Sequence, residues 1–143
     1  MNQASQILIV IVICLTAPAA CAADPSVATM PPVVVKTVPQ SGDRNVDPSI
    51  TEIRVTFSKD MADGSWSWTQ ISDDTFPPTT GKPYYLEDKR TCVLPVKLEP
   101  NRSYVTWLNS AKFGNFRDTG RRSAVPYLLV FETGKGGDRK PPR

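Results

Sequence analysis

Carboxylates and aromatic rings are the side chains of this sequence that could do chemistry. Histidine is absent from the 143 residues. Its absence removes Ser-His-Asp and Cys-His catalysis and the commonest transition-metal ligand. Glycoside hydrolysis needs only two carboxylates. The candidates are Glu52, Glu87, Asp88, Glu99 and Asp118, and nothing in their spacing sets two of them around one cleft. Glu52 and Glu99 fall at a strand start and in a turn, where solvated carboxylates are ordinary. There is no Gly-rich phosphate loop, nucleophile elbow or cysteine pair for a metal. The chain therefore reads as a protein that is not an enzyme and needs no cofactor. Calcium is the one ion its loops could take, because Ca²⁺ prefers loop oxygens. Asp60, Asp63, Asp73, Asp74 and Asp118 are the candidates. Asp60 to Gly64 lacks the regular EF-hand spacing, and forming turns is the ordinary role of such aspartates.

The aromatic residues offer binding rather than catalysis. Trp66, Trp68, Tyr84 and Tyr85 cluster in sequence, and Trp107 lies farther on. Exposed rings on a sheet can stack on sugars, and an exposed patch marks a binding site. The competing role is core packing, which at least one of Trp66 and Trp68 is expected to fill. Trp107 shares its segment with Tyr104, Thr106 and Leu108, which compete with it for the inward face.

Net charge is +3 and the pI is about 8.8. This is far from the imbalance of a nucleic-acid binder. Basic residues form small clusters at Lys89–Arg90, at Arg117, Arg121 and Arg122, and in the C-terminal tail. Such clusters are ordinarily solvated surface; their sharper use is weak attraction to acidic envelope polymers or lipid head groups. The three cysteines are Cys14, Cys21 and Cys92. Two lie in the N-terminal apolar segment, so a disulfide scaffold is excluded and the core must hold by packing. Cys92 alternates with Leu94, Val96 and Leu98, which predicts a buried, inert thiol.

Residues 1–23 carry no charged side chain, and residues 7–15 are continuously apolar. Small residues follow, and Ala20-Cys21-Ala22 supplies an A-x-A site for cleavage before Ala23. This is the pattern of a secretory signal peptide. A membrane span needs ~20 apolar residues, and this run is shorter and broken by Pro18. Ala19-Ala20-Cys21 also resembles the end of a bacterial lipoprotein signal, in which the cysteine carries lipid. Any membrane contact would come through that signal or lipid anchor. The predicted location is the periplasm, the outer envelope or the extracellular space.

The elements that must position the aromatic residues are strands. Proline numbers 14 of 143, about twice the usual ~5%, which leaves few windows for a helix. Residues 33–38 are β-branched and apolar and stop at Pro39. Ile53, Val55 and Phe57 alternate with Glu52, Arg54 and Thr56, the period of a half-buried strand. Further strands are predicted over residues 65–71, 84–86, 91–98, 103–109 and 127–133, with turn residues between them. Pro95 predicts that its strand lies at an edge or carries a bulge. Seven short strands without a helix predict an all-β fold, a single Ig-like β-sandwich preceded by an N-terminal signal segment. Tyr104 follows the turn over residues 98–103, where its hydroxyl can bend back to the turn backbone, as in the tyrosine corner of such sandwiches.

The motifs resemble the bacterial Ig-like domain of S-layer (SbsA-type) cell-surface proteins. Residues 39–46 (PQSGDRNV) resemble that family's opening turn, and residues 53–61 (IRVTFSKDM) its second strand and the apolar cap after it. Leu98, Pro100, Asn101 and Tyr104 resemble its late turn. Asp118-Thr119-Gly120 and Phe131-Glu132-Thr133 resemble its closing loop and last strand. The resemblance implies an envelope or extracellular module. The organisation expected is a signal peptide over 1–22, a linker over 23–31, the Ig-like domain over 32–134 and a flexible basic tail over 135–143. The expected role is non-catalytic, structural or protein-binding, with an envelope protein or surface polysaccharide as partner and no nucleic acid. The alternative is a carbohydrate-binding module using exposed aromatics.

Overall fold

The computed structural model describes residues 23–136. The proposed signal segment, with Cys21 and Ala22, and most of the basic tail lie outside the described residues. Seven strands follow in chain order: β1 (Val34–Val38), β2 (Glu52–Phe57), β3 (Trp68–Gln70), β4 (Tyr84–Tyr85), β5 (Thr91–Pro95), β6 (Ser103–Leu108) and β7 (Tyr127–Glu132). They form two antiparallel sheets, ordered β1-β2-β5-β4 and β3-β6-β7. This is the layout of a constant-type Ig sandwich, as the strand pattern predicted.

Alternation builds the interior. Ile53, Val55 and Phe57 of β2 turn inward, as do Tyr104, Thr106 and Leu108 of β6 and Leu129 and Phe131 of β7. One cluster gathers around Ile53, Leu94, Tyr104 and Phe131. A second gathers around Phe57, Met61, Cys92 and Phe116. Trp68 packs against both.

The position of β5 corrects the sequence expectation. It is an interior strand, between β2 and β4, and its residues Thr91–Leu94 are buried on both faces. Pro95 is its last residue, opposite Glu52 of β2, and its carbonyl accepts the Thr80 N–H at 3.0 Å on the other side. The β4 pairing has already ended at Val93, so the missing N–H breaks no ladder bond. The edge strands of this sheet are β1 and the two-residue β4.

The outer edge of β7 is capped by the turn that resembled the family's opening motif. Ser41 Oγ donates to the Leu128 carbonyl at 3.2 Å and accepts from the Val130 N–H at 3.1 Å. The Gly42 N–H reaches the Val130 carbonyl at 2.7 Å. Gly42 has φ 97°, a conformation costly for any side-chain-bearing residue. Asp43 and Val46 continue the pairing to Glu132. An edge that would otherwise invite another chain is thereby closed.

The tyrosine corner forms as predicted. The Glu99 N–H donates to the Tyr104 hydroxyl at 2.8 Å, and Tyr104 is 2% exposed. Its ring packs on Phe131 at 5.4 Å between centroids. Tyr104→Phe keeps the packing and strands the Glu99 N–H. The expected cost is about 1–3 kcal/mol, read as a lower midpoint in urea with an unchanged slope.

Candidate functional site

The loop after β6 folds back over β3, and Asn109 makes it do so. Asn109 is 1% exposed and has φ 60°, a left-handed conformation that asparagine tolerates better than most residues. Its amide nitrogen donates to the carbonyls of Phe116 at 3.0 Å and Ala124 at 2.9 Å, while its oxygen accepts from the Phe116 N–H at 2.9 Å. The Asn115 N–H then donates to Ser67 Oγ at 3.0 Å, and the Ser65 hydroxyl donates to the Asn115 carbonyl. These bonds set Phe113 beside the tryptophans.

The result is a groove of about 590 Å³ between β3 and residues 79–83, which lead into β4. Trp66, Trp68, Phe76, Pro83 and Phe113 line it, with Leu94 beneath. Gln70, Lys82 and Asn115 add polar groups. Among the described residues no carboxylate lines it, and its largely aromatic and apolar lining suits an apolar segment.

Two strand edges flank the opening. The Asn109 N–H bonds the Ser67 carbonyl at 3.0 Å. By the alternation of an antiparallel ladder, Trp68 and Gln70 turn their backbone polar groups away from β6. The Leu86 N–H bonds the Thr91 carbonyl at 2.9 Å, so Tyr85 likewise turns its backbone groups away from β5.

The structure divides the aromatic candidates. Only Trp66 and Trp68 meet in the groove. Both are half-buried against the second core cluster, and Trp68 also packs on the first, the core role expected of at least one of them. Trp68 meets Phe116 edge-on at 5.7 Å, and its buried indole N–H, close to the Cys92 thiol, makes no hydrogen bond of ordinary geometry among the described residues. Tyr84 is 45% exposed on β4, away from the groove lining. Tyr85 turns inward beneath it, and burial is the main cause that raises its phenol pKa. Trp107 stands on the opposite face of its sheet from Tyr104, Thr106 and Leu108. Phe76 and Phe113 were missed because they sit in loops otherwise rich in polar and small residues, outside any alternating segment. Phe113 is 46% exposed; an isolated phenylalanine in so polar a stretch was the one available signal.

The carboxylates are scattered. Glu52 pairs with Arg54 and Glu99 with Arg102. Asp60 pairs with Arg90 and Asp73 accepts from Gln70. Asp88 closes the β4–β5 turn; the Thr91 hydroxyl is the largest cause that holds its pKa down. Asp118 joins Lys59 and Arg122 at one end of the sandwich. The segments carrying Lys89 and Arg117 run past the same loop: the Met61 N–H donates to the Lys89 carbonyl and the Ala62 N–H to the Arg117 carbonyl, both at 2.8 Å.

Cys92 is 0% exposed. Burial pushes its thiol up to about 12, against an opposing contact with the Trp68 indole and with a small contribution from Asp63. At pH 8 the native thiol should resist Ellman's reagent. It should react within minutes once urea unfolds the chain, because the free pKa is about 8.5.

Residues 28–133 match the model of a protein family described as a bacterial Ig-like domain. No curated protein matches the chain.

Proposed function

We propose, for a chain that belongs to the bacterial Ig-like domain family, an exported envelope module that binds another envelope protein without catalysis. Family membership makes it a structural or interaction module in bacteria. The apolar groove between β3 and residues 79–83 carries the finer reading. An extended partner segment could add to the β3 edge and set alternate side chains into the groove, the mode of β-strand addition. Main-chain hydrogen bonds would supply part of the affinity, and the aromatic lining would supply selectivity. Sugar stacking needs free ring faces, whereas Trp66 and Trp68 pack against the core. The periplasm, outer envelope or cell exterior is the proposed location, reached through the N-terminal signal.

The test is co-sedimentation of the purified protein with envelopes from its producer, intact or stripped of surface protein by protease. Retention on intact envelopes alone is expected. Equal retention on stripped envelopes would point to a glycan instead. Phe113→Ala removes an exposed ring while leaving the core in place, so folding should hold by circular dichroism and retention should fall at least about tenfold. Undiminished retention would remove the groove from consideration.

A further inference from the structure

We infer that the outer face of the β3-β6-β7 sheet is a self-association surface that pairs two copies of this chain about a two-fold axis. The two sheets differ on their outer faces. On the larger sheet, β2 presents Glu52, Arg54 and Thr56, and the exposed Val35, Val38 and Tyr84 sit apart on its two edge strands. On the smaller sheet, β6 and β7 present Val105, Trp107, Leu128 and Val130, all half-buried. The register sets Trp107 opposite Leu128 and Val105 opposite Val130, which makes one continuous apolar patch. Ile71, one residue past β3, is 57% exposed. A strand apolar on both faces ordinarily has both faces covered, and residues 127–131 (YLLVF) read that way.

Charge at the two ends of the patch selects the occupant. Glu132 follows Val130 on the same face and pairs with Ser103. Lys112 lies at the other end, where it lines a hollow of about 500 Å³ with Trp107 and Pro126. Pro126 and Glu132 are about 20 Å apart by strand rise. Lys112 stands over the Phe113 ring at 5.4 Å. Among the described residues neither Lys112 nor Glu132 has an ion-pair partner. Opposite charges at opposite ends of an apolar stripe are self-complementary under a two-fold rotation. One copy's Lys112 then meets the other's Glu132, and the reverse pair forms at the far end, as an isologous interface requires. This surface adjoins the groove at the Lys112–Phe113 contact, but self-association does not require binding there.

Sedimentation equilibrium on the full chain, purified with its N-terminus as the cell processes it, tests the inference. A reversible dimer is expected by about 0.1 mM. Lys112→Glu and Glu132→Lys are both substitutions of exposed side chains, so each should keep the native circular dichroism spectrum. Each alone sets like charges together twice and should weaken dimerisation about tenfold or more. The double reversal restores both pairs and should recover the wild-type constant within about threefold. Carbodiimide coupling should also link Lys112 to Glu132 between copies, since the two are too far apart to couple within one. A chain that stays monomeric, a dimer indifferent to either reversal, or a double variant that fails to recover would each overturn the inference.

Discussion

Asp118→Ala is expected to cost about 3–5 kcal/mol, because it leaves a largely buried cation without its partner. The Asp118 side chain is 2% exposed and that of Lys59 is 13% exposed. Lys59 Nζ stands 3.2 Å from one carboxylate oxygen, and Arg122 Nε 3.1 Å from the same atom. The Arg122 N–H donates to the other oxygen at 2.8 Å. The two cations also hold the segment entering the domain: Lys59 donates to the carbonyls of Ala28 and Met30, and Arg122 to that of Thr29. Loss of the carboxylate therefore loosens residues 28–30 as well as the closing loop. Arg122 is 43% exposed and can turn to water, so most of the cost falls on Lys59. Against a total stability of about 5–15 kcal/mol, such a variant sits close to unfolding. A urea midpoint measured at pH 7 checks it.

The same carboxylate makes acid destabilising. Burial by itself would raise its pKa. The Arg122 N–H, the Lys59 ammonium and the Arg122 guanidinium outweigh burial and hold it below the ordinary range. A depressed carboxylate contributes stability that is present above its unfolded value, about 3.9. That contribution is lost as pH falls through the lower folded value. Asp88 titrates in the same sense. Wild-type stability should therefore drop below about pH 4. Asp118→Asn, already weakened at neutral pH, should show a shallower drop over that range.

Strand positions were legible because alternation with period two is a local signal. β2 shows it, with Ile53, Val55 and Phe57 inward. The tyrosine corner was legible too, since its turn and its tyrosine are five residues apart. β5 was misplaced because proline reports only a missing donor, and a proline at the end of an interior strand has none to supply. The groove was half legible. Trp66 and Trp68 are neighbours in sequence, but Phe76 and Phe113 reach them from loops separated by 37 positions. The Asp118 junction was hidden for the same reason. Lys59 and Asp118 stood in two separate motifs, which the fold joins through the Met61–Asp118 bridge and the Ala62–Arg117 and Thr119–Asp60 backbone hydrogen bonds.

Asn109→Ala is expected to be as damaging as loss of Asp118, for a different reason. No charge is involved. The substitution strands the Phe116 N–H and the Ala124 carbonyl, while the Phe116 carbonyl loses one donor and keeps the Ala124 N–H at 2.8 Å. Each buried group left unpaired costs about 1–3 kcal/mol, which puts the total near 3 kcal/mol or above. Alanine also fits poorly at φ 60°. Asn109→Gly separates the two causes, since glycine accepts that conformation and lacks the amide. If glycine recovers less than about 1 kcal/mol of the loss, the hydrogen bonds dominate. Phe116 is 0% exposed and packs on Phe57 and Trp68, so its release would open the second core cluster from the loop side. Amide exchange at Phe116 and Ala124 should accelerate even where the strands still protect Val55 and Leu129. Phe113 would lose its place beside Trp66 and Trp68, and groove binding would fail with the loop that builds it.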